Sequence, residues 1–153
     1  MLDHEYMFQT VTDFGIDEGV IALIQRCYED SSLSLKLFTK ELCIPVHKGV
    51  RQGDTISPAL FTAALEKAIR QLDWEQRGIR VDGRNLHHRC FADDVALFAG
   101  DTVEATDMLA QFAEACGKAG LKINVKKTQY MATPWTVPGK VMPGDVPLDK
   151  LYS

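Results

Sequence analysis

Two neighbouring carboxylates interrupt an apolar segment, and no other feature constrains the fold of this chain as strongly. Asp93 and Asp94 follow the apolar residues 90–92 and precede the apolar residues 95–98. Charged side chains are rarely buried unless they are paired or bind a metal ion. The flanking segments are too short for a helix and rich in strand-forming residues. The sequence therefore predicts a β-hairpin with Asp93 and Asp94 in its tight turn.

The carboxylate pair admits three interpretations. Two adjacent carboxylates repel each other, and a divalent cation such as Mg²⁺ relieves that repulsion. The pair could be a solvated turn, a receiver-type phosphoacceptor site, or a nucleotidyl-transfer site that uses two metal ions. A receiver-type site would continue into a helix after the acids, whereas Val95–Ala99 continues as a strand. The strand disfavours the second interpretation and leaves the other two open.

Charge is unevenly distributed along the chain, although the net charge is only −4. Residues 92–114 contain six acidic and no basic residues, whereas residues 31–91 and 115–153 each carry a net charge of +4. An acidic segment between basic ones suits a metal site beside a surface that binds a polyanion. Fluctuation of charge along solvated surface segments would give the same pattern.

Composition places the chain among ordinary globular proteins. Its 153 residues are 46% hydrophobic and 25% charged, which is enough for one domain with a core. Apolar stretches stay well short of the ~18 residues of a membrane span, and no signal peptide is apparent, so we expect an intracellular protein, nuclear or cytoplasmic. The cysteines form no C-x-x-C pair. His87 and His88 stand near Cys90, but strand alternation predicts opposite faces for the two imidazoles, so no zinc site is expected.

Apolar periodicity predicts three helices and several short strands. The helices are expected over 17–30, from Pro58 to Leu72 with Ser57 as N-cap, and over 103–119 with Gly120 as the stop. The predicted strands are 33–38 with one buried face, 42–46, 78–83, 85–91, 95–99, 121–125 and 128–132. Asp82-Gly83 indicates a tight hairpin turn. The segment 133–153 is rich in proline and glycine and is expected to be a loop or a disordered tail.

Three separated motifs resemble the reverse transcriptases of non-LTR (LINE-like) retrotransposons. These are G-V-R-Q-G-D-T-I-S-P-A-L-F from Gly49, F-A-D-D from Phe91, and G-L-K-I-N-V-K-K-T-Q-Y-M from Gly120. The resemblance covers about residues 1–132 and implies an α+β fold, namely part of a ferredoxin-like polymerase palm with some elements of the fingers. The domain expected over 1–132 is thus a partial reverse transcriptase domain of lower fingers and palm.

The same resemblance implies roles for individual residues. Asp93 would bind metal directly and Asp94 would support or share a metal, in a site of two Mg²⁺ ions for which Mn²⁺ could substitute. Lys127, or Lys126 if the register slips by one, would neutralise or protonate the leaving pyrophosphate. The residues implied to contact the nucleotide or the template are Arg51, Gln52, Gly53, Ser57, Pro58 and Asn124. The implied partners are an RNA template, a DNA primer and a deoxynucleoside triphosphate.

The family's first catalytic carboxylate has no counterpart in the resemblance. The chain opens M-L-D-H-E-Y, and Asp3-His4 align with the end of the motif that carries that residue. We therefore expect the first catalytic strand to be missing and the chain to be inactive by itself. A gap in the sheet would also favour self-association. The alternative is a non-catalytic remnant of a retroelement that binds nucleic acid through the basic stretches Lys36–Arg89 and Lys118–Lys127.

Overall fold

The computed structural model describes residues 1–29, 31–38, 40–51, 53–137, 139–144 and 146–151, apart from the side chains of Leu33 and Leu37. The chain forms two compact units. Unit 1 comprises Met1–Lys67 and Ala119–Leu121, and unit 2 comprises Ala68–Lys118 and Lys122–Ser153. The polypeptide thus leaves unit 1 after Lys67 and returns to it for three residues.

Three helices contribute to unit 1: α1 (His4–Asp13), α2 (Glu18–Glu29) and the first part of α3 (Ser57–Arg70). Asp3 caps α1, because its carboxylate accepts hydrogen bonds from the backbone N–H groups of Glu5 and Tyr6. Partial burial raises the pKa of Asp3, but the hydrogen bonds from Tyr6, Lys48 and Glu5 outweigh it and hold the pKa below its ordinary value. The buried core of the unit consists of Leu2, Met7, Val11, Ile21, Tyr28, Leu60, Ala64 and Ala119.

The hairpin of unit 1 consists of β1 (Ser32–Leu37) and β2 (Lys40–Pro45), which pair antiparallel. Both strands were predicted from the sequence, and β2 ends at its proline, which has no N–H to continue the ladder. The buried face predicted for β1 is wrong at Leu35, which is 42% exposed opposite the 49% exposed Leu42. Every side chain of the two strands that the structure describes is exposed, as expected for a sheet of only two strands.

The beginning of the chain is fastened to the return segment of unit 1. The Met1 ammonium donates to the carbonyl oxygen of Gly120 (3.1 Å), and the Asp3 N–H donates to the carbonyl oxygen of Ala119 (3.0 Å). Gly120 has a φ of +74°, and a Cβ there would lie 2.9 Å from the Met1 carbonyl oxygen. A glycine is therefore required both by the backbone conformation that ends the preceding helix and by the close approach of Met1.

Unit 2 is built on one long helix and short strands. The helix is α4 (Thr102–Lys118), and the strands are β3 (Ile79–Val81), β4 (Arg84–Leu86), β5 (His88–Phe91), β6 (Asp94–Leu97), β7 (Gln129–Tyr130) and β8 (Asp149–Lys150). Pairs β3–β4 and β5–β6 are antiparallel, whereas β7–β8 is parallel. Throughout the described residues every sheet has two strands, so the larger ferredoxin-like sheet implied by the resemblance is not formed.

The last twenty residues contribute to the core of unit 2. Val141 and Leu148 are buried with Leu109 of α4, and Tyr130 and Ile123 pack against this cluster. The proline and glycine content of 133–153 predicted a loop or a disordered tail, but it does not show which apolar residues of the segment are buried. Isolated apolar residues in a proline-rich loop can still fill a core, and periodicity does not reveal them.

Several element boundaries differ from the sequence prediction. The strand predicted over 121–125 is absent, because the Asn124 carbonyl oxygen accepts hydrogen bonds from the N–H groups of Lys127 and Thr128 (2.9 and 3.0 Å) and closes a local turn instead. The strand predicted over 85–91 is divided at His87 into β4 and β5. Helix α3 begins at Ser57, and the Ile56 carbonyl oxygen accepts the first helical hydrogen bond from Leu60, so the cap residue is Ile56 rather than Ser57.

Over the part of the chain that is described, no helix is both long enough and apolar enough to span a bilayer.

Candidate active site

The paired aspartates lie at the tip of the β5–β6 hairpin. Phe91 pairs with Asp94 across the strand ends, so the connection consists of Ala92 and Asp93. The hairpin is as predicted, but only Asp93 belongs to the turn, whereas Asp94 is the first residue of β6. A one-residue difference matters here because successive residues of a strand point to opposite faces. Ala92 has a φ of +53°, the left-handed conformation that two-residue hairpin turns require.

Both carboxylates and the adjoining aromatic ring are exposed. Asp93 and Asp94 are solvent-accessible, and Phe91 is 83% exposed. Each carboxylate avoids the penalty of charge burial and has room for a ligand. Within the described segments, no basic side chain forms a salt bridge with either one.

The carboxylates of Asp93 and Asp94 are the type of ligand that Mg²⁺ prefers, but there are only two of them at this site. Mg²⁺ prefers carboxylate oxygens, and it is usually bound through one or two carboxylates together with substrate phosphates. Among the residues that the structure describes, no three histidine, cysteine, aspartate or glutamate side chains gather into a group that could hold a metal ion. Asp93 and Asp94 could therefore contribute ligands to a shared ion, but they do not form a complete site with other described side chains.

The segment from Gly49 to Pro58 leads into α3. Gly53 is exposed and has a φ of +86°, and no atom beyond its chain neighbours lies within 4 Å of where a Cβ would stand, which leaves room for a ligand beside it. Ser57 is buried, with its hydroxyl 3.3 Å from the Tyr28 hydroxyl, whereas Pro58 is exposed. Gln52 lies outside the described residues.

Arg51 is held by the end of α2. Its guanidinium donates hydrogen bonds to the carbonyl oxygen of Cys27 and to the Ser31 hydroxyl, the latter at 2.9 Å. Its Cζ atom lies 5.6 Å from the centre of the Tyr28 ring. These contacts join residues 20 to 24 positions apart in the chain, so no local sequence pattern predicts them.

The third motif ends in a tight turn that carries Asn124 and Lys127. The Thr128 hydroxyl and the N–H of Lys127 both donate to the Asn124 carbonyl oxygen (2.9 Å each). The side chains of Asn124, Lys126 and Lys127 are exposed. This turn belongs to unit 2 together with the Asp93-Asp94 hairpin, and Leu97 of β6 and Ile123 pack on the same apolar cluster. Arg51, Gly53, Ser57 and Pro58 belong to unit 1.

Two side chains were placed incorrectly from the sequence. The Nδ1 atoms of His87 and His88 are 2.7 Å apart and the ring centres are 4.7 Å apart, so the imidazoles are not on opposite faces. His87 lies between β4 and β5, so the alternation of side chains along a strand does not apply to it.

From the sequence, His4 was considered only as part of the opening motif. In the structure its Nε2 lies 2.8 Å from the carbonyl oxygen of Gly49.

Comparison with known sequences defines the class of protein. The chain belongs to the family described as reverse transcriptase (RNA-dependent DNA polymerase), whose model matches residues 2–142. The resemblance inferred from the three motifs is thereby confirmed.

Its relatives among curated proteins come from mobile elements. The chain is 30% identical over 128 residues to the Retrovirus-related Pol polyprotein from type-2 retrotransposable element R2DM of Drosophila melanogaster, with 82% of the chain and 12% of that polyprotein covered. It is 32% identical over 129 residues to the polyprotein of a type-1 retrotransposable element R2 from Bradysia coprophila, with 84% and 15% covered. A putative uncharacterized transposon-derived protein of Caenorhabditis elegans is 40% identical over 63 residues, 41% of this chain and 23% of that protein. The chain thus spans a small fraction of the lengths of these relatives.

Proposed function

We propose that this chain carries part of the palm and lower fingers of an RNA-directed DNA polymerase, with Asp93 and Asp94 as ligands for Mg²⁺. The observation that supports this most strongly is the β5–β6 hairpin, which presents both carboxylates to solvent in a chain of the reverse transcriptase family. A solvated turn would give the same exposure, but not the family membership. The proposed partners are an RNA template, a DNA primer and a deoxynucleoside triphosphate.

The remaining candidate residues have separable tasks. Exposed Lys127, with Lys126 as its neighbour, supplies positive charge or a proton for the departing pyrophosphate. The backbone around Gly53 and the start of α3 at Ser57 and Pro58 would contact the incoming nucleotide and the template base. Asn124, in the motif that begins at Gly120, would contact them as well. Bound Mg²⁺, or Mn²⁺ in its place, would activate the primer 3′-hydroxyl and neutralise charge on the leaving group.

Metal binding by the pair is testable by itself. We expect Mn²⁺ titration followed by electron paramagnetic resonance to detect weak binding that Asp93→Asn/Asp94→Asn removes. The matched control is Asp73→Asn/Glu75→Gln, which neutralises two exposed acids of the same unit elsewhere. Equal Mn²⁺ binding by the wild-type protein and the Asp93/Asp94 variant would contradict the proposed ligand role.

Catalysis by these 153 residues alone is not expected. Two-metal sites stabilise the transition state through several ligands acting together, and the loss of one commonly costs orders of magnitude in rate. The described residues supply only the adjacent pair. We expect the purified polypeptide to incorporate no deoxynucleotide on an RNA template with a DNA primer. Template-dependent incorporation that Asp93→Ala abolishes would overturn this expectation.

Because the described residues supply only two carboxylates for a metal ion, a second candidate function is a non-catalytic remnant of a retroelement that binds nucleic acid. Its contacts would come from the basic stretches Lys36–Arg89 and Lys118–Lys127. Filter binding over a series of salt concentrations measures these contacts, because each neutralised phosphate steepens the dependence of affinity on salt. A remnant of this kind would bind with a steep slope that Asp93→Asn/Asp94→Asn leaves unchanged. A shallow slope would argue against phosphate contacts and therefore against this candidate.

A further inference from the structure

We infer that Arg51 is a positioning residue that fastens the Gly49–Pro58 segment to the C-terminal end of α2, and that it does not act as a phosphate-binding charge. Arg51 is the cation nearest to Gly53 in the sequence, and a phosphate contact would be its simplest role. The contacts of its guanidinium with described residues are all made within unit 1. The contacts of Arg51 do not depend on the proposed function. Only the use of the segment, contact with the nucleotide and the template, rests on that proposal.

The end of α2 offers Arg51 three complementary contacts. The Cys27 carbonyl lies in the last turn of the helix, where no intrahelical partner is available, and it accepts from the guanidinium. The Ser31 hydroxyl accepts a second hydrogen bond at 2.9 Å, and the guanidinium Cζ lies over the Tyr28 ring, 5.6 Å from its centre. A positive charge at this position also opposes the negative end of the helix dipole.

The segment is held on both sides of Arg51 as well. The Gly49 N–H donates to the Leu2 carbonyl oxygen (2.6 Å), and the Gly49 carbonyl oxygen is 2.8 Å from His4 Nε2. At the other end, Ser57 is buried beside the Tyr28 hydroxyl. Arg51 lies between these two attachment points in the chain. Its contacts with α2 therefore restrain the part of the segment between Gly49 and Ser57.

A lysine could supply the charge of Arg51 but not its contacts. Both hydrogen bonds come from the Nη2 atom of a planar guanidinium that also lies over the Tyr28 ring, whereas an ammonium is a compact point charge on a different stem. Arg51→Lys therefore separates the two roles: a phosphate contact survives the substitution and a positioning role does not. Arg26→Ala is the matched control for charge, since it removes an exposed cation from the last turn of the same helix.

Hydrogen exchange followed by mass spectrometry tests the inference without nucleic acid. Arg51→Ala and Arg51→Lys should both accelerate exchange of the amides in residues 46–57 by about tenfold, since local opening is governed by such ties. Ser31→Ala keeps the charge of Arg51 and removes the hydrogen bonds of the Ser31 hydroxyl with Arg51 and with the Cys27 carbonyl oxygen, so it should accelerate exchange by a smaller factor. Arg26→Ala should leave exchange at the wild-type rate. Wild-type exchange in Arg51→Lys, or in Arg51→Ala, would overturn the inference.

Nucleic-acid affinity provides a second and independent readout. A positioning role predicts that Arg51→Lys and Arg51→Ala lose the same factor in affinity with the salt slope unchanged. A phosphate contact predicts instead that Arg51→Ala lowers the slope by about one and that Arg51→Lys restores it, which would overturn the inference. If the wild-type chain binds no nucleic acid, the proposed function is refuted. The role of Arg51 is then decided by the hydrogen-exchange rates alone.

Discussion

At the residue scale, Ala92 has the most unusual backbone conformation near the paired aspartates. A non-glycine residue at positive φ costs ~1–2 kcal/mol, because its Cβ crowds the backbone. We therefore expect Ala92→Gly to raise the free energy of unfolding by about 1 kcal/mol, measured by urea denaturation. Ala96→Gly, in the middle of β6, is the control and should lower it by roughly 0.5–1 kcal/mol. A loss of stability in Ala92→Gly would contradict the strain assigned to this turn.

The four cysteines differ in the reactivity expected of their thiols. Burial raises the pKa of Cys116 to about 11, and the neighbouring Cys90 thiol adds to the shift, whereas Cys27, Cys43 and Cys90 are exposed. The thiolate is the reactive form, and its fraction rises only as pH approaches the pKa. At pH 8 we expect iodoacetamide to modify the three exposed cysteines first and to leave Cys116 unmodified in the folded protein. Peptide mapping would show the order, and early labelling of Cys116 would contradict its burial.

At this scale, local turns are easier to predict from sequence than contacts between distant residues. The turn at Asp93 follows from the types of the residues on either side of it. The contacts that hold Arg51 to Tyr28 and His4 to Gly49 join residues 23 and 45 positions apart, and no local pattern encodes them. Contacts of this kind depend on how the helices pack, so they can be identified only from the folded structure.

At the element scale, turn residues were more informative than apolar runs. Asp82-Gly83 predicted the β3–β4 hairpin, and both residues have positive φ, as a tight two-residue turn requires. The alternating apolar and polar residues of 121–125 predicted a strand that is not formed, since side-chain pattern alone does not determine where backbone hydrogen bonds go. Residues 85–91 also form two strands rather than one, because each half pairs with a different partner.

Gly78 fixes the geometry at the start of the β3–β4 hairpin. It has a φ of +92°, and an added Cβ would lie 2.2 Å from the carbonyl oxygen of Leu86. Gly83 also has positive φ (+78°), but nothing lies within 4 Å of its Cβ position. We expect Gly83→Ala to cost ~1 kcal/mol and Gly78→Ala on the order of 2–4 kcal/mol, because only the latter also displaces backbone. Urea denaturation would measure both, and equal costs would show that the close approach is unimportant.

At the scale of the whole molecule, unpaired strand edges and exposed apolar faces favour self-association. Each described sheet has two strands, and Leu35 and Leu42 are substantially exposed on one face of the β1–β2 hairpin. We expect sedimentation velocity to show species above the 17.1 kDa monomer as concentration rises. Leu42→Lys should shift the distribution toward monomer, whereas Cys43→Lys, on the opposite face, should not. A monomer at all concentrations would contradict this prediction.

The attachment of Met1 and Asp3 to Gly120 and Ala119 determines when unit 1 can be completed during translation. Ala119 is a buried member of the unit 1 core, and Leu121 packs against it. A nascent chain that ends after Lys67 contains all three helical segments of that unit but leaves a hole where Ala119 belongs. The hydrogen bonds of Met1 and Asp3 therefore cannot form until Ala119 and Gly120 have been synthesised, and such long-range closure slows folding.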